Sequence, residues 1–245
     1  MLEIDQSAYG FKWKTIWFYD HPYDVKGYDS VNFYQCSQDV EADGFSKQEF
    51  STIVIDLTLD EDELWKNMGR SSCRSAINKA RNSGVTIKIN EGYEEFYALN
   101  SNFRKYKGLP RYNLSIEYMK NYCTLFISEY EGDILGGLLY LNDRDYFRGL
   151  LGASKRLDDC YNLKKNLIGN ANKMIIWNAM LHAKSCGKRF FDMGGYSTEK
   201  VTDEEMEGIN RFKKSFGGDL VTYYHYQKDY SKIFSLAKKV YESFN

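Results

Sequence analysis

Apolar positions along the chain repeat with two periods, near 2 and near 3.6, and the switches between them delimit the expected elements. Alternating or continuous β-branched and aromatic runs predict strands over 12–19, 32–36, 51–57 and 85–90. Three consecutive strands joined by short turns, expected to pair antiparallel, follow over 125–129, 134–141 and 146–152, with further strands over 190–193 and 221–226. Helical spacing places Phe96, Leu99 and Phe103 on one face of a helix over 94–105, and Ile175, Ile176, Ala179 and Ala183 on a long helix that stops at Gly187. Further helices are expected over 71–83, 116–123 and 230–244. The pairs Thr58-x-x-Glu61 and Thr202-x-x-Glu205 have capping-box form and predict two more helix starts, the second helix ending at Gly217-Gly218. Strands and helices alternate around antiparallel hairpins, so the fold class is α/β (α+β) with a mixed, mostly antiparallel sheet flanked by helices. Residues 1–50 read as a β-rich extension expected to pack on a main domain over 51–245.

With 33 basic and 34 acidic residues the chain carries a formal charge of -1, which argues against nucleic-acid binding over its whole surface. Its apolar fraction of 43% suits a packed globule. The longest apolar run, around 135–141, is far shorter than the ~20 residues of a membrane helix, and the N-terminus lacks the layout of a signal peptide. A cytoplasmic protein without a membrane span is expected. Five cysteines, at 36, 73, 123, 160 and 186, form no C-x-x-C pair, and three histidines lie far apart. Neither a disulfide framework nor a metal site is expected. The phosphate-loop, zinc-protease and nucleophile-elbow motifs are missing from the sequence.

Four stretches could carry chemistry. Residues 65–90 contain Lys66, Arg70, Arg74, Lys79, Arg81 and Lys88 and no acid, with Arg70, Arg74 and Arg81 on one helical stripe. Such a stripe suits a phosphate-bearing partner, or is a solvated face balanced elsewhere in the fold. The run RFFDMGG (189–195) brings Asp192 to a strand end beside two glycines, where it could face a ligand or bond to nearby backbone N–H groups. In GINRFKKSFGG (208–218) acids open the helix and Arg211, Lys213 and Lys214 close it, a polarity that dipole complementarity explains. The loop and helix over 164–187 offer a helix N-terminus, a natural anion site or an ordinary core helix.

Taken in order, four segments resemble the FemAB-type branch of the GNAT acyltransferase superfamily. They are IDLTLDEDELWKNMGRSSCRSAINKARNSGVTIKI (55–89), SEYEGDILGGLLYL (128–141), IIWNAMLHAKSCGKRFFDMGG (175–195) and GINRFKKSFGGDLV (208–221). The resemblance implies a GNAT-like fold and transfer of an aminoacyl group from aminoacyl-tRNA, or of an acyl group from acyl-CoA, to an amine of a cell-wall or surface-glycan precursor. No permanently bound cofactor is implied. Partners would be an amine-bearing, phosphorylated acceptor and the acceptor end of a charged tRNA. An inert GNAT-like binding module is the reading from another class.

By resemblance, Phe212 and Lys213 lie at the active site, with Lys213 stabilising a phosphate or a developing oxyanion. Arg104 and Arg111 match the substrate-phosphate residues of relatives, and Arg70, Arg74 and Arg211 join them as binding candidates. Asp192, Glu129 and Glu131 are candidate bases, and Tyr146 and Tyr196 candidate proton donors. Two departures stand out. FemAB-type enzymes usually carry two GNAT-like domains where this chain has room for one, so a homodimer could complete the cleft. The acyl-CoA signature Q/R-x-x-G-x-G/A is matched only by Asn166, Gly169, Asn170 and Ala171, the candidate donor loop, which lacks the leading Gln or Arg.

Overall fold

The computed structural model describes residues 1–110, 114–157, 165–198 and 204–243. In chain order they form β1 (Leu2–Ala8), β2 (Phe11–Trp17), β3 (Ser30–Cys36), β4 (Ser46–Asp56), α1 (Glu61–Asn67), a π-helical turn (Arg70–Arg74), α2 (Ser75–Asn82), β5 (Thr86–Ile89), α3 (Tyr93–Tyr106), α4 (Ile116–Tyr122), β6 (Cys123–Tyr130), β7 (Asp133–Asn142), β8 (Tyr146–Ser154), a 3-10 turn (Lys155–Leu157), α5 (Lys165–Ser185), β9 (Phe190–Gly195), α6 (Glu204–Lys214), β10 (Asp219–Asp229) and α7 (Lys232–Ser243). The fold is mixed α/β with mostly antiparallel strand pairing, as the periodicity predicts.

Contacts divide the chain into two compact units, 1–52 with 195–199 and 220–245, and 53–194 with 200–219. The first boundary falls two residues beyond the expected one, inside β4. The N-terminal unit, however, also takes in β10 and α7, which sequence reading assigns to the main domain.

In the first unit the strand order is β1-β2-β3-β10-β4. β1 and β2 form a hairpin whose two-residue turn, Tyr9-Gly10, has positive φ at both positions (53° and 82°), the geometry that matches strand twist. β1 escapes the periodicity because LEIDQSA has few apolar residues, and in the fold only Ile4 of this strand is buried. Ile16, Val31, Phe33, Cys36 and Tyr226 make the core of this unit.

The second unit has the order β4-β9-β8-β7-β6-β5, antiparallel from β5 to β8 and parallel between β8 and β9. Its core gathers Phe126, Tyr140, Phe147 and Phe191 from the strands under Ile168, Ala171, Ile175, Ala179 and Ala183 of α5. α1 begins two residues later than expected. Asp60 rather than Thr58 is the N-cap: its carboxylate accepts from Glu63 N at 2.8 Å, and Glu63 Oε2 accepts from Asp60 N at 3.2 Å. The helix expected over 71–83 is a π-turn, Arg70–Arg74, followed by α2. The Thr202 capping position lies outside the described residues.

Candidate functional site

β8 and β9 pair in parallel through Tyr146–Phe190, Phe147–Phe191 and Arg148–Asp192, while β8 continues to Ser154 and β9 to Gly195. Side chains alternate across the sheet. Phe147 points toward α5, its ring 6.1 Å from His182, so Arg148 and its register neighbour Asp192 lie on the opposite face. Both are buried, Arg148 to 8% exposure and Asp192 to 0%.

Immediately beyond this pair, still within β9, the backbone leaves the extended region at one residue. Gly194 has φ 74° and donates its N–H to Asp192 Oδ1 at 2.7 Å, while its carbonyl accepts from Lys213 Nζ at 3.1 Å. The two peptide groups flanking the Gly194 Cα are thereby held by an acidic and a basic side chain. Glycine is needed twice over: φ is left-handed, and a Cβ would meet Gly149 O at 3.0 Å.

Lys213 arrives from the last turn of α6. Burial lowers its ammonium pKa to about 8, the Asp192 carboxylate opposes that shift, and the Arg148 guanidinium adds to it. A lysine in this range exchanges its proton near neutral pH and, while charged, is a poorly solvated cation whose field is little screened. It can stabilise an oxyanion or hold and release a proton at Nζ. Cys73 does not serve as a nucleophile here, since burial pushes its thiol up to about 11.

The other expected residues are dispersed. Phe212, next to Lys213, turns into the core and meets Phe216 edge-on at 5.3 Å. Arg211 lies on the exposed side of α6, paired with Glu207 at 3.0 Å. Arg104 spends Nε on Pro110 O at 2.6 Å, closing the chain after α3; Arg111 lies outside the described residues. Glu129 is bound to Lys88 at 2.5 Å, Glu131 sits in the β6–β7 turn with φ 53°, and the Tyr146 ring lies 4.9 Å from Phe190. Tyr196 belongs to the first unit, where its N–H donates to Ser51 O at 2.7 Å.

The candidate donor loop is corrected outright. Asn166, Gly169, Asn170 and Ala171 are wound into α5, and Ala171 is fully buried. From the fifth helical residue onward the N–H groups bond to carbonyls one turn back, so Gly169, Asn170 and Ala171 cannot cradle a pyrophosphate.

Arg70 and Arg74 do come together. With Trp65, Ser75, Asn78, Lys79 and Asn82 they line an open cleft of about 400 Å³. The π-turn carrying them is anchored beside the end of α6 by Gly69 N donating to Ser215 O at 2.8 Å. Among the described residues no carboxylate pairs with Arg70, Arg74 or Lys79, and Arg74 Nε is buried without a hydrogen-bond acceptor. A larger pocket of about 700 Å³ opens between α3, the β6–β7 turn and the end of β8, lined by Leu99, Phe103, Tyr106 and Ile134 with Glu95 and Asp133 among its polar groups. Gly149 and Ser154, five residues apart on β8, place it within about 17 Å of Gly194 along the strand.

Arg148 and the large pocket escape sequence reading. Arg148 did leave a signal, a lone cation inside the apolar run YFRGLLG. The pocket left none, because its walls come from elements far apart in sequence.

No family model and no curated protein sequence matches the chain. Solved structures do. FemX superposes with TM-score 0.62 over 86% of this chain and 74% of its own, at 16% identity. The C-terminal domain of a protein described as a lysylphosphatidylglycerol synthetase, from Agrobacterium fabrum, gives 0.55 over 86% and 71%, at 13% identity. L-PGS from Bacillus licheniformis gives 0.54 over 84% and 70%, at 12% identity. The chain therefore has the FemX-like fold that its sequence motifs imply.

Proposed function

We propose that the chain is an N-acyltransferase that moves an aminoacyl group from aminoacyl-tRNA to an amine of a cell-wall or surface-glycan precursor, with Lys213 at its centre. The observation that carries this reading is the half-buried ammonium of Lys213, beside Asp192 and Arg148 and donating to the Gly194 carbonyl, on a fold shared with FemX. The neutral amine attacks the ester carbonyl carbon and forms a C–N bond. Negative charge gathers on the carbonyl oxygen, where the Lys213 ammonium stabilises it, an effect worth about 3–4 kcal/mol. Collapse breaks the C–O bond, and the extra proton of the amine nitrogen passes through water to the departing RNA oxygen, which leaves as a hydroxyl. Alignment of the two substrates supplies a further ~7–11 kcal/mol.

Asp192 has a positioning role in this scheme: it fixes the left-handed Gly194 backbone and favours the charged state of Lys213. Arg70 and Arg74 serve a phosphate of one substrate. An RNA ester is preferred over acyl-CoA as donor because the glycine-containing segment that would hold a pyrophosphate is helical. A calorimetric titration with coenzyme A tests this choice. The expected result is no binding at micromolar concentration, and micromolar binding would transfer the proposal to acyl-CoA chemistry.

A further inference from the structure

The first unit carries a surface that acyl transfer does not use. Ser231 precedes helix α7, and its Oγ accepts from Phe234 N at 3.2 Å. Phe234 packs onto the β1–β2 hairpin, its ring 5.3 Å from Phe11 and 6.1 Å from Trp13. That contact turns the opposite side of the helix outward. Ile233, Leu236 and Val240 are 73%, 65% and 50% exposed, and at 100° per residue they fall within about 60° of arc. Exposed Lys232 and Lys239 border this stripe, and no acid occurs over 232–240.

The hairpin adds to the same neighbourhood. Tyr9, two residues from Phe11 at the turn, is 99% exposed. Lys12, also exposed, follows Phe11. The hairpin's nearby acids Glu3 and Asp5 are occupied by Lys14, at 2.7 and 3.3 Å, so they do not cancel the lysines.

We propose that the outer face of α7, together with the Tyr9 turn, docks on the surface of an anionic lipid bilayer. An apolar helical stripe bordered by lysines is the signature of a helix lying in the membrane interface, apolar side chains inserted and cations at the headgroups. A fully exposed tyrosine at a turn suits the same depth, where its ring is buried and its hydroxyl hydrated. A protein partner fits less well, since the buried centres of protein interfaces are depleted in lysine. Among the described residues no helix is long and apolar enough to cross a membrane; the docking proposed here is of a helix lying in the interface.

The test is co-sedimentation of the full chain with vesicles of phosphatidylcholine, with and without phosphatidylserine, at low and high salt. Binding is expected to the mixed vesicles, weakened by salt and by omission of phosphatidylserine. The double variant Ile233→Glu/Leu236→Glu, altered only at exposed positions, should bind at least about tenfold more weakly. Lys232→Gln/Lys239→Gln, which keeps the apolar stripe, should lose the preference for phosphatidylserine. Failure of the unaltered chain to bind either vesicle overturns the proposal. So does self-association in solution that Ile233→Glu/Leu236→Glu abolishes without any vesicle binding, because the face then belongs to a second copy of the chain.

Discussion

Replacing Lys213 by Met should stabilise the protein while removing its activity. Lys213 is held at a pKa of about 8, against 10.5 for the unperturbed side chain, chiefly because burial penalises its charge. At ~1.36 kcal/mol per pH unit this displacement sets the cost of the buried ammonium near 3 kcal/mol at pH 7. Methionine has a similar length and no charge. It forfeits the hydrogen bond to Gly194 O, so a net gain of ~1–3 kcal/mol is expected. In a chain of this size each kcal/mol moves the melting midpoint by ~2–4 °C. The sign depends on pH. Between pH 8 and about 10.5 the unfolded lysine keeps a proton that the folded one has lost, so the unaltered protein gains stability as pH rises through that window. The advantage of Lys213→Met should therefore be largest at pH 7 and fade by about pH 10.5. Thermal melts of both proteins across this range read the effect. A variant less stable at pH 7, or an advantage that does not change with pH, would refute a strongly desolvated ammonium.

Three further outcomes follow from the same geometry. Asp192 raises the Lys213 pKa, so Asp192→Asn should move the alkaline fall of the rate, centred near pH 8 in the unaltered enzyme, to lower pH; a limb that stays in place would remove Asp192 from its positioning role. Gly194→Ala puts a Cβ 3.0 Å from Gly149 O at φ 74°, and left-handed strain of ~1–2 kcal/mol plus that contact should lower both the melting temperature and turnover. Arg70→Ala/Arg74→Ala should raise KM for the phosphorylated substrate tenfold or more, with kcat within about threefold, and a change confined to kcat would contradict a binding role.

Much of the second unit was legible in the sequence because its signals are local. The alternation in SEYEGDILGGLLYL and the apolar stripe of 175–183 specify β6, β7 and α5, and the hairpins need no long-range information to pair. The site was legible only in part. Asp192 stands at a strand end before two glycines, and Lys213 at the end of a polar helix, but their meeting at Gly194 spans 19–21 residues of chain and depends on tertiary packing. Arg148 was hidden for the same reason, since its value comes from the neighbouring strand. Arg211 and Phe212 immediately precede Lys213 in sequence yet turn toward solvent and the core, because successive helical residues diverge by 100°. The donor loop failed where a glycine suggested a loop and the apolar periodicity of α5 extended through it. β10 and α7 read as a continuation of the main domain, whereas their packing partners are β3 and the β1–β2 hairpin, more than 180 residues earlier.

The most direct test of Lys213-centred transfer is a single-turnover reaction with tRNA carrying a radiolabelled amino acid and a peptidoglycan precursor bearing a free amine, comparing the unaltered chain with Lys213→Ala. Label should move from RNA to the amine, at least about 100-fold more slowly in Lys213→Ala. Transfer at an unchanged rate in Lys213→Ala, or no transfer by the unaltered chain, would contradict the proposed function.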